Sequence, residues 1–265
     1  MTKIKEAFKN GKALIPFVTA GDPNLDVTKE LILAMDKNGA DIIEIGIPFS
    51  DPVAEGLVVQ QADERALKAG TTTDKIFDMV KEISSECSCP LAFMTYMNPI
   101  FVYGADRFMS KCQECGVSAV IVPDVPFEEK DEVIPYAEKY GIEVISFIAP
   151  SSKDRIEMIA KEAQGFLYCI CSTGGTCLLH EIIPDTAKMI ESAKKVSDVP
   201  CAAGFEIETP DQAKALANVA DGIIVDSEVV KIVAKYGENS IEPVVEYIKA
   251  IKEAISKCKS KPLVN

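Results

Sequence analysis

The sequence predicts a (β/α)8 TIM barrel, an α/β fold, as a single domain with a short N-terminal helix. Short, apolar, β-rich runs recur roughly every thirty residues, and a segment of helical period follows each run. The runs are almost wholly apolar rather than alternating, which is typical of parallel strands covered by helices. Eight such units in 265 residues fit one closed barrel, so we assign residues 1–265 to one domain.

The strands are predicted from the apolar runs. They are Ala13–Ala20, Ile42–Ile47, Leu91–Tyr96, Ala119–Val125, Val144–Ala149, Phe166–Ile170, Val199–Ala203 and Gly222–Val225. A doubly wound sheet is disfavoured because the turn after the first strand, Gly21-Asp22-Pro23, lacks the glycine-rich pattern of that fold.

The helices are predicted from the apolar period and from the residues that begin and end them. They are Asp26–Asn38, Lys75–Ser84, Asp106–Cys115, Glu129–Tyr140, Asp154–Ala163, Asp185–Val196, Pro210–Asn218, Glu228–Lys235 and Glu242–Lys257. Thr209 is expected to cap the helix that starts with Pro210. The first twelve residues, MTKIKEAFKNGK, lack the apolar core of a signal peptide and predict a short amphipathic helix.

Composition excludes several classes of function. The 28 basic and 41 acidic residues give a net charge of −13, which disfavours nucleic acid or an anionic membrane as the main partner. No apolar run approaches the roughly 20 residues that span a bilayer. We therefore expect a cytoplasmic protein.

The cysteines and the single histidine bear on metal chemistry. Six of the nine cysteines form three pairs that are close in sequence: Cys87 and Cys89, Cys112 and Cys115, and Cys169 and Cys171. No two of these pairs have the spacing of a zinc site, so we expect free thiols, no metal and no cofactor. His180 is the only histidine, which excludes histidine triads and histidine-rich metal sites. No lysine lies in a strand run, which disfavours a Schiff-base aldolase.

Two carboxylates at the second predicted strand are the first candidate site. Glu44 lies inside the apolar run Ile42–Ile47, and Glu55 lies in the loop that follows. A glutamate at a strand end can simply be salt-bridged or face solvent. Alternatively, the two carboxylates converge on a pocket, because the carboxyl ends of barrel strands form the active-site face. Other candidates at strand ends are Phe17, Tyr96, Asn98, Asp124, Tyr168 and Thr176.

Five segments resemble the tryptophan synthase α subunit family, in the family's order and spacing. They are PFVTAGDP (16–23), IEIGIPFSDPVAEG (43–56), VPDVP (122–126), AAGFEI (202–207) and DGIIVDSEVVK (221–231). The resemblance implies a (β/α)8 barrel that cleaves indole-3-glycerol phosphate to indole and glyceraldehyde 3-phosphate. It also implies a partner, the tryptophan synthase β subunit with its pyridoxal phosphate, in an αββα-type complex.

The resemblance also implies roles for individual residues. Glu44 would be the catalytic acid–base, and Glu55 stands where the family has a catalytic aspartate. The implied substrate-binding residues are Phe17, Tyr96, Asp124, Tyr168, Thr176, Gly204, Phe205 and Ser227. The implied β-subunit contacts are Asp51, Pro52 and Asn98.

The chain departs from the family at the phosphate site. Cys177, Glu206 and Asp226 replace glycines whose backbone N–H groups would bind the phosphate, and only Ser227 is retained. Glu206 and Asp226 would repel a dianion if they face it, or would be harmless if they turn outward as helix caps. Three hypotheses stay open: a working lyase, a non-catalytic activator of a β subunit, and a diverged lyase for a ligand without phosphate.

Overall fold

The computed structural model describes residues 2–171, 179–204 and 207–258, without the side chains of residues 179–182. Eight parallel strands close into a barrel in chain order, and the first pairs with the last. The strands are β1 (Ala13–Thr19), β2 (Ile43–Gly46), β3 (Leu91–Met94), β4 (Ala119–Ile121), β5 (Glu143–Ile148), β6 (Leu167–Ile170), β7 (Cys201–Gly204) and β8 (Gly222–Val225). The predicted (β/α)8 barrel is confirmed.

Helices connect the strands. In the described ranges they are α1 (Lys3–Glu6), α2 (Leu25–Lys37), α3 (Leu57–Lys68), α4 (Thr73–Ile83), α5 (Met97–Tyr103), α6 (Ala105–Glu114), α7 (Ile134–Lys139), α8 (Ile156–Glu162), α9 (Leu179–Lys194), α10 (Pro210–Ala217), α11 (Ser227–Tyr236) and α12 (Ile241–Ser256). Short 3₁₀ turns precede α7, α8 and α12.

Side-chain caps explain where several helices begin. Asn24 accepts a hydrogen bond from the backbone N–H of Val27 at 2.9 Å at the start of α2. Thr209 accepts from the backbone of Gln212 at the start of α10, and the Gln212 side chain accepts in return from the backbone of Thr209. The predicted Thr209 cap is therefore confirmed.

The barrel interior is a small apolar cluster separate from the larger core between strands and helices. Alternate residues of the strands form it, among them Ile15, Ile42, Ile121 and Tyr168. Ile4 of α1 is fully buried in the same cluster. The short N-terminal helix thus closes the amino end of the barrel, which leaves the carboxyl end for the site.

Two helices were not expected from the sequence. The buried stripe of α3 consists of Val59, Ala62, Asp63 and Ala66, so small residues and an acid weaken its apolar signal. Helix α5 has a proline in its first turn and exposes Phe101 and Val102. The single helix expected at Glu129–Tyr140 is a 3₁₀ turn at Phe127–Glu132 followed by α7.

Candidate active site

Glu44 lies inside the barrel, at the second residue of β2. It pairs in register with Phe17 on β1 and Ala92 on β3. Because side chains alternate along a strand, Glu44 shares the inward face of Ile42, which belongs to the interior cluster. Its side chain is 0% exposed. The alternative of a solvent-facing glutamate at a strand end is therefore wrong.

Burial controls the charge of Glu44. Neither carboxyl oxygen has a hydrogen-bond partner among the described residues. Burial raises the pKa of Glu44 well above its usual value, and the negative charge of Asp226 raises it further. Both effects favour the protonated carboxyl, which can donate a proton to a substrate inside the barrel and then accept one.

Glu55 lies in a network of polar groups at the mouth of the barrel. Burial raises the pKa of its carboxyl, and the nearby side chains of Asp63 and Tyr96 oppose that rise. Tyr96 in turn accepts a hydrogen bond from the backbone N–H of Ala54 at 3.1 Å, and Asp63 accepts one from Phe49 at 3.4 Å. One Glu55 oxygen, Oε2, is buried without a hydrogen-bond donor among the described residues. Glu55 thus retains an oxygen that can accept a hydrogen bond from a ligand.

Two glycines make room for the aromatic rings that line the interior. A Cβ on Gly46, the last residue of β2, would lie 2.5 Å from the Phe17 ring. A Cβ on Gly204, the last residue of β7, would lie 2.7 Å from the Tyr168 ring. Tyr168 also packs against Phe147, with ring centroids 4.8 Å apart. Flat apolar walls of this kind suit a planar ligand.

Asp226 caps the helix that begins with Ser227. Its carboxylate accepts a hydrogen bond from the backbone N–H of Ser227, the first residue of α11. The same carboxylate is close enough to raise the pKa of Glu44, Glu55 and Tyr168. Asp226 therefore acts as a cap and also adds negative charge at the barrel mouth.

Other predicted residues lie on the outer part of the same face. Asp124 is exposed and accepts a hydrogen bond from the backbone N–H of Met97 at 2.9 Å, so it orders the start of α5. Asp51 and Asn98 are exposed, and Pro52 is half-buried. Four predicted residues lie outside the described residues: Thr176, Cys177, Phe205 and Glu206.

Asp63 and Gly46 are site residues that the sequence reasoning missed. Asp63 lies in α3, after the loop that carries Glu55, and is only 3% exposed. The period of α3 contained a signal, because positions 59, 62, 63 and 66 form one face, and an acid on a buried face is unusual. No such signal marks Gly46 in the sequence, because the need for a glycine there comes only from the position of the Phe17 ring.

The described residues contain one cluster with the composition of a metal site. The ligand atoms of Asp36, Cys87 and Cys89 lie within 4.8 Å of one another. The carboxylate of Asp36, however, already accepts hydrogen bonds from the backbone N–H of Ser88, the Ser88 hydroxyl and the backbone N–H of Cys89. These contacts order the loop before β3, at the amino end of the barrel and away from Glu44.

Comparisons with known proteins agree with this geometry. The family model "Tryptophan synthase alpha chain" matches residues 3–259. Curated tryptophan synthase alpha chains of Lacticaseibacillus casei and Petrotoga mobilis are each 43% identical to this chain; the first alignment covers 96% of both chains, and the second 95% of this chain and 99% of the relative.

Solved structures are similar along nearly the whole chain. The alpha subunit of tryptophan synthase from Legionella pneumophila superposes with a TM-score of 0.87 at 32% identity, covering 96% of this chain and 98% of that one. A chain of the tryptophan synthase complex from Pyrococcus furiosus superposes with a TM-score of 0.81 at 30% identity, covering 91% of this chain and 98% of that one. These matches agree with the barrel and with the position of Glu44, and the chain belongs to the tryptophan synthase alpha chain family.

Proposed function

We propose that the chain cleaves indole-3-glycerol phosphate to indole and glyceraldehyde 3-phosphate, as a carbon–carbon lyase of tryptophan biosynthesis. The main support is Glu44, a buried carboxyl without a hydrogen-bond partner among the described residues, inside a barrel lined by aromatic rings. The reaction needs one group that both gives and takes a proton, and a protonated carboxyl at this position meets that need.

Glu44 would transfer both protons of the reaction. Its carboxyl protonates carbon 3 of the indole ring, which makes the ring an electron sink with positive charge at the ring nitrogen. The bond between carbon 3 and the side chain then breaks, and its electron pair returns to the ring. The side-chain hydroxyl becomes an aldehyde and gives its proton to the Glu44 carboxylate. Glu44 ends the cycle protonated, as it began.

Glu55 would stabilise the positive charge that develops on the ring nitrogen. An ionised carboxylate does this by accepting the N–H hydrogen bond, and the buried Oε2 of Glu55 has the capacity to accept one. The family's aspartate is one methylene shorter than this glutamate. The longer side chain of Glu55 lies near those of Tyr96 and Asp63, which restricts the positions that it can take.

A ligand without phosphate is the second candidate for the substrate. The observation that favours it is Asp226, whose carboxylate already accepts the N–H group of Ser227 that a phosphate would use. Its charge would also repel a dianion at the start of α11. Under this alternative the chemistry at Glu44 is unchanged, and only the group at the far end of the substrate differs.

We also propose that a tryptophan synthase β subunit binds the loop after β2 and helix α5, in an αββα-type complex. Four apolar residues here are unusually exposed: Val53 of the loop (81%), Leu57 at the start of α3 (68%), and Phe101 (74%) and Val102 (76%) of α5. A patch of this kind on one face is typical of an interaction surface. It lies beside Asp51, Pro52 and Asn98 in the sequence, and we include these three residues in the interface.

Two wider proposals concern the whole chain. We propose one domain for residues 1–265, because the eight strands close into one barrel. In the part of the chain that the structure describes, no helix is long and apolar enough to cross a membrane. We propose a cytoplasmic location because the cysteines of the described ranges are free thiols, which suits a reducing compartment.

The test is indole release by the purified chain, alone and with a β subunit. We expect release by the wild type and a loss of about 10²- to 10⁴-fold in kcat for Glu44→Gln, which keeps the shape of the side chain and removes its proton transfer. Glu64→Gln is the matched control, because Glu64 is an exposed residue of α3. Unchanged turnover in Glu44→Gln would contradict the proposal.

The same assay separates the remaining hypotheses. A wild type that accelerates a β subunit without releasing indole would show a non-catalytic activator. Cleavage of indole-3-glycerol, tested in parallel, with no cleavage of its phosphate would show the diverged lyase.

A further inference from the structure

We propose that Asp36, Cys87 and Cys89 bind a divalent cation that prefers thiolate ligands, such as Zn²⁺. Asp36 belongs to α2, and the two cysteines belong to the loop between α4 and β3. Both segments lead into strands, at the opposite end of the barrel from the catalytic face. The site is therefore independent of the proposed lyase reaction.

The two sulfur atoms already have the separation that one zinc ion would impose. The Sγ atoms of Cys87 and Cys89 lie 3.7 Å apart. A Zn–S bond is about 2.3 Å long, so two thiolates on one tetrahedral ion lie about 3.8 Å apart. Both cysteines are half-buried, whereas the other cysteines in the described part of the chain are buried. An ion in solution can thus reach this pair.

Asp36 supplies an oxygen as the third ligand. One of its carboxylate oxygens lies within 4.8 Å of both sulfur atoms. Its Oδ1 accepts hydrogen bonds from the Ser88 hydroxyl at 2.8 Å and from the backbone N–H of Cys89 at 2.9 Å. Its Oδ2 accepts from the backbone N–H of Ser88 at 3.0 Å. A carboxylate oxygen has two lone pairs, so Oδ2 has a second position that a metal can take.

The hydrogen bonds of Asp36 suit a metal ligand, because carboxylates that bind a metal are usually oriented by donors of this kind. Ion binding also requires only a small movement. On a tetrahedral zinc ion the oxygen would lie about 3.5 Å from each sulfur, so the gap closes by at most about 1.3 Å. Ser88, between the two cysteines, is exposed, and a loop at the surface can make such a shift.

The charges of the three ligands also suit a divalent cation. The two thiols lose their protons when the ion binds, so two thiolates and one carboxylate face two positive charges. A water molecule would complete the tetrahedron. The spacing of the cysteines does not reveal this site, because the third ligand comes from a helix that lies far earlier in the chain. The bound ion would fix α2 to the loop before β3.

The test is binding of Zn²⁺ alone to the purified, fully reduced chain, measured by titration calorimetry without substrate. We expect one ion per chain in the wild type. Loss of an outer hydrogen bond at a metal site lowers the affinity about 10- to 100-fold, and loss of the ligands themselves lowers it further. The double variant Cys87→Ser/Cys89→Ser should therefore bind Zn²⁺ more than about 100-fold less tightly.

Two single variants test the carboxylate. Asp36→Asn replaces one carboxylate oxygen by an N–H group that cannot bind a metal, and Ser88→Ala removes the hydroxyl that orients Asp36. Each should lower the affinity for Zn²⁺ at least about tenfold. Cys258→Ser is the matched control and should bind as the wild type does, because the Cys258 thiol donates to the backbone of Lys214 instead.

Co²⁺ identifies the ligands directly, because thiolates bound to it give a sulfur-to-metal charge-transfer absorption. We expect this absorption in the wild type and in Cys258→Ser, and none in Cys87→Ser/Cys89→Ser. A wild type that binds no Zn²⁺, or a double variant that binds it equally well, would overturn the proposal. Failure to cleave indole-3-glycerol phosphate would overturn the proposed function alone, because no substrate enters these measurements.

Discussion

Glu44 and Glu55 belong to the same residue type, and their surroundings raise their pKa values by different amounts. Glu44 is fully buried, and no described residue is hydrogen-bonded to it, so it favours the proton. Glu55 is only partly buried; burial raises its pKa, but the nearby side chains of Asp63 and Tyr96 oppose the rise, so Glu55 holds a negative charge more readily than Glu44 does. A pair of acids with separated pKa values can supply both a proton and a counter-charge at one pH.

Tyr96→Phe tests the residue that links the backbone to Glu55. The change removes a hydroxyl that accepts from the backbone of Ala54 and lowers the pKa of the nearby Glu55. Its loss should therefore raise this pKa, and the acidic limb of the rate profile should move to higher pH. We expect kcat at neutral pH to fall about tenfold. The measurement is kcat/KM against pH.

Tyr103→Phe is the control for this variant. Its hydroxyl donates to Asp74 on the surface, at 2.5 Å. An acidic limb that stays in place in Tyr96→Phe would mean that Tyr96 does not set the charge of Glu55.

At the scale of elements, the sequence predicts the strands much better than the connecting helices. Parallel barrel strands are covered on both sides, so each is a short and almost wholly apolar run, and all eight were predicted. Helix α3 was missed because its buried face includes Asp63, and α5 because Phe101 and Val102 face outward. At these residues α3 places an acid near Glu55, and α5 exposes the proposed partner surface.

The residues of the site also differ in how well the sequence predicts them. Glu44 was predictable because an acid inside an apolar run is rare. The proximity of Asp63 to Glu55 was not, because it depends on how α3 packs against the loop before it. Asp124 was expected at the substrate, and its observed contact is with the backbone of Met97, so its role in binding stays a prediction.

Gly46→Ala tests how the end of β2 shapes the interior. The new methyl group would overlap the Phe17 ring, so the ring must move into the space for the ligand. We expect KM to rise about tenfold with a smaller change in kcat, since the reacting groups stay in place. Steady-state kinetics would check this. Gly56→Ala is the control, because a Cβ there meets no atom within 4 Å. An unchanged KM in Gly46→Ala would show that the Phe17 ring does not contact the substrate.

For the whole molecule, the catalytic face and the proposed partner surface adjoin each other. The loop after β2 carries Glu55 and the exposed Val53, and Tyr96, which contacts Glu55, directly precedes α5. A partner seated on the loop and α5 would therefore restrain the residues that hold Glu55. This arrangement allows binding of a β subunit to affect the rate at Glu44 without contact between the two.

Phe101→Ser tests the partner surface. The change removes a large exposed ring, so we expect the affinity for a β subunit to fall about 10- to 30-fold, as for an aromatic residue at the centre of an interface. Indole release by the chain alone should be unchanged. Met158→Ser is the control, since Met158 is an exposed apolar residue of α8. Equal affinity of Phe101→Ser and the wild type, measured by titration calorimetry, would exclude α5 from the interface.

The buried acids also affect how the chain folds. An unfolded chain at neutral pH has ionised glutamates and aspartates, whereas burial in the native state raises the pKa of Glu44 and raises that of Asp63 to about 8. Folding at neutral pH therefore takes protons from the solvent. By linkage, the free energy of unfolding decreases as the pH rises from about 4 towards the native pKa values of these acids. The buried acids that favour proton transfer at the site thus also make the folded chain less stable at alkaline pH.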